Sequence, residues 1–275
     1  MLKDVTLGQF FPGNSVLHRL DPRIKLILTV LYIVAIFLAK NVYCYLALIV
    51  SAVVMVLLSR LSLGVVLKGI KPILIILLFT MLINLFFTKG EGEALWSFWR
   101  IAIYREGVIR ALLMAVRVVV LVIGTSVLLT YTTSPIVLTD AIESLLSPLK
   151  KIKVPVHDFA MMMTIALRFI PTLLEETEKI INAQKARGAS FDNGSLLKRA
   201  RALVPILIPL FVSSFNRADE LATAMECRCY RGDVGRTRFV KLKMRPFDVV
   251  SLFMMIAFGA AIVLANCYLP YGFSV

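Results

Sequence analysis

"VYCYLALIVSAVVMVLLS", residues 42–59, decides the fold of this chain. It carries no charge and no helix breaker. It is long enough to cross the hydrocarbon core of a bilayer as one helix, which takes ~20 apolar residues. Just before it stands "IKLILTVLYIVAIFLA", residues 24–39, with only Lys40 and Asn41 between the two. The pair reads as two antiparallel membrane helices joined by a very short turn. Three more runs follow: "PILIILLFTMLINLFF" (72–87), short but extendable through Ile70 and Lys71; "ALLMAVRVVVLVIGTSVLLTY" (111–131); and "FDVVSLFMMIAFGAAIVLANCYL" (247–269). Composition agrees. Of the 275 residues 59% are hydrophobic, the mean hydropathy is +0.84, and soluble domains run at about 45–50% apolar. The reading is an all-α integral membrane protein with about five transmembrane helices.

Between the fourth and fifth runs the character changes. Residues 132–245 hold more than half of the charged residues of the chain, yet stay rich in Leu, Ile and Met. That mixture marks amphipathic helices lying against a surface rather than a disordered loop. The expected organisation is residues 1–131 as a membrane domain with four spans, 132–245 as a cytoplasmic helical domain, and 246–275 as a last span with an outer tail. The net charge of +14 sets the orientation, because excess Lys and Arg marks the cytoplasmic face. Lys3, Arg19, Arg23, Lys25, Arg60, Lys68, Lys71 and the charged segment then lie inside, and the uncharged "PYGFSV" tail lies outside. The N-terminus carries Asp4, Pro12 and Asp21 and lacks the apolar centre of a signal peptide. No nucleic-acid motif accompanies the basic charge. Cys44, Cys227, Cys229 and Cys267 form no disulfide framework.

Within the charged segment, "SPIVLTDAIESLLSPLKKIKVP" (134–155) offers Ser134 or Thr139 as a cap, a stripe of Ile142, Leu145, Leu146 and Leu149, and Pro155 as a stop. "HDFAMMMTIALRFIPTLLEETEKIINAQKARG" (157–188) starts apolar and turns amphipathic, and Pro171 allows a kink. Gly188 ends that helix, since glycine enters the left-handed region cheaply. Arg187 therefore stands in the final turn, at the negative pole of the helix dipole. "LVPILIPLFVSSFNRADELATAMECRCYRG" (203–232) repeats the plan. It opens apolar with Pro205 and Pro209, continues with a stripe of Phe211, Phe215, Ala218, Leu221, Ala222 and Met225, and ends on Arg228 close to Gly232. Taken alone, each arginine is an ordinary C-terminal charge. Two matching ends suit a partner with two similar pockets, such as a dimeric soluble protein.

"PGNSVLHRLDPRIKL" (12–26), "ALRFIPTLLEE" (166–176), "AQKARGASF" (183–191) and "ADELATAMECRCYRG" with the later "GRTR" (218–238) occur in order. Together they resemble the T component of energy-coupling factor (ECF) transporters, over nearly the whole chain from Gln9 to about Lys243. The resemblance implies the membrane scaffold of a modular ABC importer in a bacterial or archaeal plasma membrane. Such a scaffold joins two ABC-type ATPase subunits to a separate membrane-embedded S component, which chooses the vitamin or metal taken up. It binds no cofactor itself; ATP and magnesium belong to the partners. Membrane lipid is the remaining partner, and nucleic acid is not one. The family carries an Ala-Arg-Gly motif at the end of each of two coupling helices, and each motif docks in one ATPase. Carried over by position, the first is Ala186-Arg187-Gly188, intact. The second falls on Cys227-Arg228-Cys229 and departs from the pattern. A left-handed Cys229 would cost of order 1 kcal/mol. A helix that runs on to end near Gly232 avoids that cost and makes Arg231 a further docking candidate. Two cysteines are too few for a structural zinc site, which takes four ligands.

Two other classes compete: a polytopic membrane enzyme, and an ABC permease half with its own substrate cavity. The chain has no H-E-x-x-H, G-x-S-x-G, P-loop or aspartate-rich diphosphate motif. Glu175, Glu176 and Glu178 read as a solvated helix face. The single charged segment between the fourth and fifth spans favours the T component over the permease. Arg110 and Arg117 share one face of the fourth span. Arg117 falls within the membrane, where a lone charge costs at least ~2.5–3.5 kcal/mol, so it is expected to face protein. Asn84 is expected to bond between helices. His18, Arg19, Asp21 and Arg23 are expected to anchor the first span or hold lipid headgroups.

Overall fold

A computed structural model describes residues 10–87, 94–98, 101–189, 196–232 and 242–268. The helices are α1 (Pro22–Leu38), α2 (Val42–Ser59), α3 (Leu63–Ile70), α4 (Leu74–Phe87), α5 (Arg105–Thr125), α6 (Pro135–Leu146), α7 (Val156–Ala186), α8 (Leu196–Cys227) and α9 (Pro246–Tyr268). Among the described residues the fold is all-α but for a two-stranded antiparallel ribbon, β1 (Ala94–Phe98) and β2 (Ile101–Tyr104), pairing Phe98 with Ile101. The sequence runs quoted above include no strand there, and α5 starts at Arg105 rather than Ala111. The described residues fall into two compact units, 10–138 with 242–268, and 139–232.

Among the described residues five helical stretches are long and apolar enough to cross a membrane: Val42–Ser59, Gly64–Phe86, Gly107–Thr130, Arg201–Cys227 and Pro246–Tyr268. Four match runs read from the sequence. The other lies in α8, where the turns between Arg201 and Arg217 carry no charge. The remaining sequence run became α1, whose 17 residues still fit the lower end of the ~17–25 that span a bilayer. The chain is a multi-pass membrane protein.

In the first unit α1 packs against α5 and α9, and α2 packs against the same two helices. Cys44, Leu48, Ala52 and Val56 form the buried stripe of α2, one residue per turn, while Val50, Val53 and Leu57 on its other sides are exposed. Tyr32 of α1 is buried against the flank of α5, and a Cβ placed on Gly124 would run into its ring. That close approach of helix to helix is why glycine stands there.

Polar knots close this unit. Asp21 caps α1 by accepting from the Arg23 N–H at 2.9 Å, and its own N–H donates to Asp248 Oδ1 at 2.9 Å. The Arg245 N–H donates to Asp248 Oδ2 at 2.7 Å. Asp248, 1% exposed, thus ties the start of α9 to the start of α1. Beyond α5 a wide π-type turn covers Ser126–Thr130. It is followed by Thr132, whose carbonyl accepts from Lys25 Nζ at 2.9 Å, and Thr133 Oγ1 accepts from the same ammonium at 3.2 Å. His18 Nε2 donates to the Phe11 carbonyl at 2.9 Å, leaving Nδ1 to accept from the Ser15 hydroxyl at 2.6 Å. The cluster before α1 is therefore a structural anchor. At the far end of α1, Arg117 donates to the Ala39 carbonyl at 3.0 Å and lies over the Tyr45 ring at 5.5 Å. A guanidinium there meets the negative pole of α1, so Arg117 faces protein as expected. Asn266 of α9 donates to the Leu38 carbonyl at 2.6 Å. Asn84 instead donates from its amide to the Thr80 carbonyl of its own helix at 2.9 Å, because that carbonyl stands one turn earlier on the same face.

Helix α6 follows Ser134 with Pro135 at its first position, a favourable start, and from Thr139 onward belongs to the second unit. Its stripe of Ile142, Leu145 and Leu146 is exposed, while Thr139, Ala141 and Glu143 are buried. His157 at the start of α7 pairs with Glu143 at 2.9 Å. Helices α7 and α8 pack together, and both continue through their internal prolines, Pro171, Pro205 and Pro209.

Candidate functional site

The two arginine-bearing helix ends share one hydrogen-bond plan. Helix α7 stops at Ala186, with Arg187 as its cap. The Gly188 N–H donates to the Lys185 carbonyl at 2.9 Å, and the Ala189 N–H reaches back to Gln184 at 3.0 Å. Gly188 has φ +87°. This pair of bonds with a left-handed residue between is the Schellman ending. Helix α8 stops at Cys227. The Cys229 N–H donates to Glu226 at 2.8 Å, the Tyr230 N–H reaches back to Met225 at 3.0 Å, and Cys229 has φ +58°. The second end is thus the first one repeated.

This corrects the expectation of a helix running on to Gly232. Hydrogen bonds from three successive N–H groups, Arg228 and Tyr230 to the Met225 carbonyl and Cys229 to the Glu226 carbonyl, outweigh the modest cost of a left-handed cysteine. Cys229 occupies the glycine's place, Arg228 takes the place of Arg187, and Arg231 lies beyond the cap. Ala186, Arg187, Gly188, Cys227, Arg228, Cys229 and Arg231 are all exposed. Neither Arg187 nor Arg228 engages another described side chain, so both guanidinium forks are available to a partner. Each sits where its helix dipole favours a cation.

Glu176, expected on a solvated helix face, instead takes part in a pair that joins the two helices. Arg217 of α8 donates from Nη2 to Glu176 Oε2 of α7 at 2.7 Å. The signal was present in the spacing. Glu176 and Arg217 are 41 positions apart, the same interval that separates Arg187 from Arg228. Beside this pair lies an apolar cleft of about 300 Å³, lined on α7 by Met161, Ile165, Phe169 and Leu173 and on α8 by residues from Ser214 to Met225.

Comparison with known proteins places this geometry. The family model CbiQ, described as cobalt transport protein, matches residues 13–239. The chain belongs to that family. An energy-coupling factor transporter transmembrane protein EcfT of Ruminiclostridium cellulolyticum is 53% identical over 264 residues, 96% of this chain and 98% of the relative. Proteins of the same name from Acidaminococcus fermentans and Lactococcus lactis are 54% and 47% identical, over 94% and 92% of this chain and 95% and 96% of theirs. The family match takes in both arginine ends, the Glu176–Arg217 pair and the anchor before α1. The relatives are named as transporter components rather than enzymes.

Proposed function

We infer that this chain is the transmembrane T component of an energy-coupling factor importer. In this reading it carries no nucleotide of its own. Two ABC-type ATPase subunits hold ATP and magnesium, and a separate membrane S component selects the vitamin or metal. The observation that carries the reading is the pair of matched helix ends, each presenting an exposed arginine from a Schellman cap. Arginine suits the task, because its planar fork binds carboxylates or carbonyls in a fixed geometry that a lysine ammonium cannot match. A cap that fixes the backbone also fixes where that fork starts. Closure of the ATPase pair would then move both helices at once. The N-terminus and the α6–α8 unit lie on the cytoplasmic side, supported by the distribution of Lys and Arg. The exposed apolar side chains of α6 and α8, Ile142, Leu145, Phe211 and Phe215 among them, form surface for lipid and for the S component.

The test is co-purification. The tagged chain is extracted gently from its native membrane, and its companions are identified, in parallel with a variant carrying Arg187→Glu and Arg228→Glu. The expected result is an ABC-type ATPase pair with the wild type and none with the variant. A wild-type chain that is folded but brings no ATPase overturns the reading and favours the polytopic enzyme class.

A further inference from the structure

We propose that the Glu176–Arg217 pair is the pin that sets where α7 and α8 cross, and hence how far apart the two exposed arginines are held; its part in transport rests on the docking reading above. Three observations lead there.

The first is position. Arg187 follows Glu176 by the same number of residues as Arg228 follows Arg217. The pin is therefore equidistant along the chain from both ends, about 16 Å of helix on each side at 1.5 Å per residue.

The second is direction. The cleft beside the pin is lined on α7 by residues before Glu176 and on α8 by residues up to Met225, largely after Arg217. The helices cross in the antiparallel sense, so their arginine ends lead away from the pin in opposite directions. Slippage of one helix past the other by a single turn would move one end by about 5.4 Å relative to the other.

The third is the open, largely apolar packing beside the pair. The lining on α8 includes the small side chains of Ser214, Ala218 and Ala222, and the cleft leaves about 300 Å³ between the two helices. Apolar contact is non-directional and does not by itself choose a register. A 2.7 Å charge-assisted hydrogen bond does. The pair is partly exposed, with side chains 37% and 27% accessible. Such pairs add little to stability, so removing this one is expected to change register without unfolding the unit.

The test reads distance first and transport second. Spin labels are placed at Lys185→Cys and Glu226→Cys in the full-length chain, with Cys227, Cys229 and Cys267 changed to Ser, and the label-to-label distance is measured in detergent. The expected result is one narrow distribution with the pair intact. Glu176→Gln and Arg217→Gln should each broaden it at least about twofold, and the exchange Glu176→Arg with Arg217→Glu should narrow it again, as coupled residues in a double-mutant cycle do. In the assembled importer in vesicles, each single variant should keep its ATPases but lower uptake per ATP hydrolysed by about threefold or more, with the exchange restoring most of it. Unchanged distances in the single variants, or an exchange as broad as either of them, overturn the pin. Altered distances with unchanged uptake per ATP overturn its part in transport. Failure of the wild type to hold ATPases overturns the docking reading instead and leaves the distance result standing.

Discussion

Cys229 and Gly188 occupy equivalent places, yet only one of them is suited to its backbone. A left-handed conformation costs a side-chain-bearing residue about 1 kcal/mol or more relative to glycine. Cys229→Gly is therefore expected to stabilise the end of α8 by about 1 kcal/mol, seen as slower amide exchange at Tyr230, whose N–H closes the cap. The reverse change isolates the same effect. A Cβ on Gly188 meets nothing within 4 Å, so Gly188→Ala should loosen the α7 cap by a similar amount through backbone strain alone. Asp248 is a residue of a different kind. It is buried and accepts backbone N–H groups from Asp21 and Arg245. Asp248→Ala leaves both donors unpaired, at about 1–3 kcal/mol each. A loss of roughly 3 kcal/mol in denaturant stability is expected, with Asp248→Asn intermediate because one oxygen remains to accept.

At the scale of elements, the contact of α1 with α5 turns on Gly124. Tyr32 is 1% exposed and its ring has nowhere to retreat from a new Cβ. Gly124→Ala should cost about 1–3 kcal/mol, the usual range for overpacking. Gly259→Ala on α9, where a Cβ meets nothing within 4 Å, should be neutral or slightly stabilising, as helix propensity predicts. Thermal unfolding in detergent compares the two directly. The Tyr32–Gly124 contact was not legible in the sequence, and the reason is physical. Lipid accepts apolar side chains on every outward face, so α2 shows no polar side to mark which stripe is buried; only the small residues Cys44 and Ala52 hint at it. The spans themselves were legible because a bilayer demands long uncharged runs. The ribbon of β1 and β2 was not, since two short strands between spans carry no periodic signal longer than a few residues. The arginine ends were legible through Gly188 and the repeated spacing. The stop of α8 at Cys227 was misread because the rule that a cap prefers glycine is a preference of about 1 kcal/mol, smaller than the hydrogen bonds that override it.

For the whole molecule, the matter is whether two docking ends act as one. Separate ends binding separate ATPases would lose affinity independently, and the effects of removing each arginine would simply add. Ends carried by two helices that cross at one pin present both arginines to the ATPase pair together. Once one end has docked, the other binds at a high effective concentration, and such linkage can strengthen binding by about 10²–10⁴ beyond either contact. The expectation concerns Arg187→Ala and Arg228→Ala, with the ATPase pair titrated onto the chain held in lipid nanodiscs. Either single change forfeits most of that linkage, so each alone should cost nearly the full avidity. The double change, with little linkage left to lose, should then fall short of the product of the two single effects. Effects that multiply without shortfall would mean that the ends dock independently, and would confine the pin between Glu176 and Arg217 to the shape of the free chain. A shortfall that disappears when Glu176→Gln is added to every member of the series would tie the avidity to the crossing itself, since a chain whose ends are no longer held at one separation has lost the linkage before either arginine is removed.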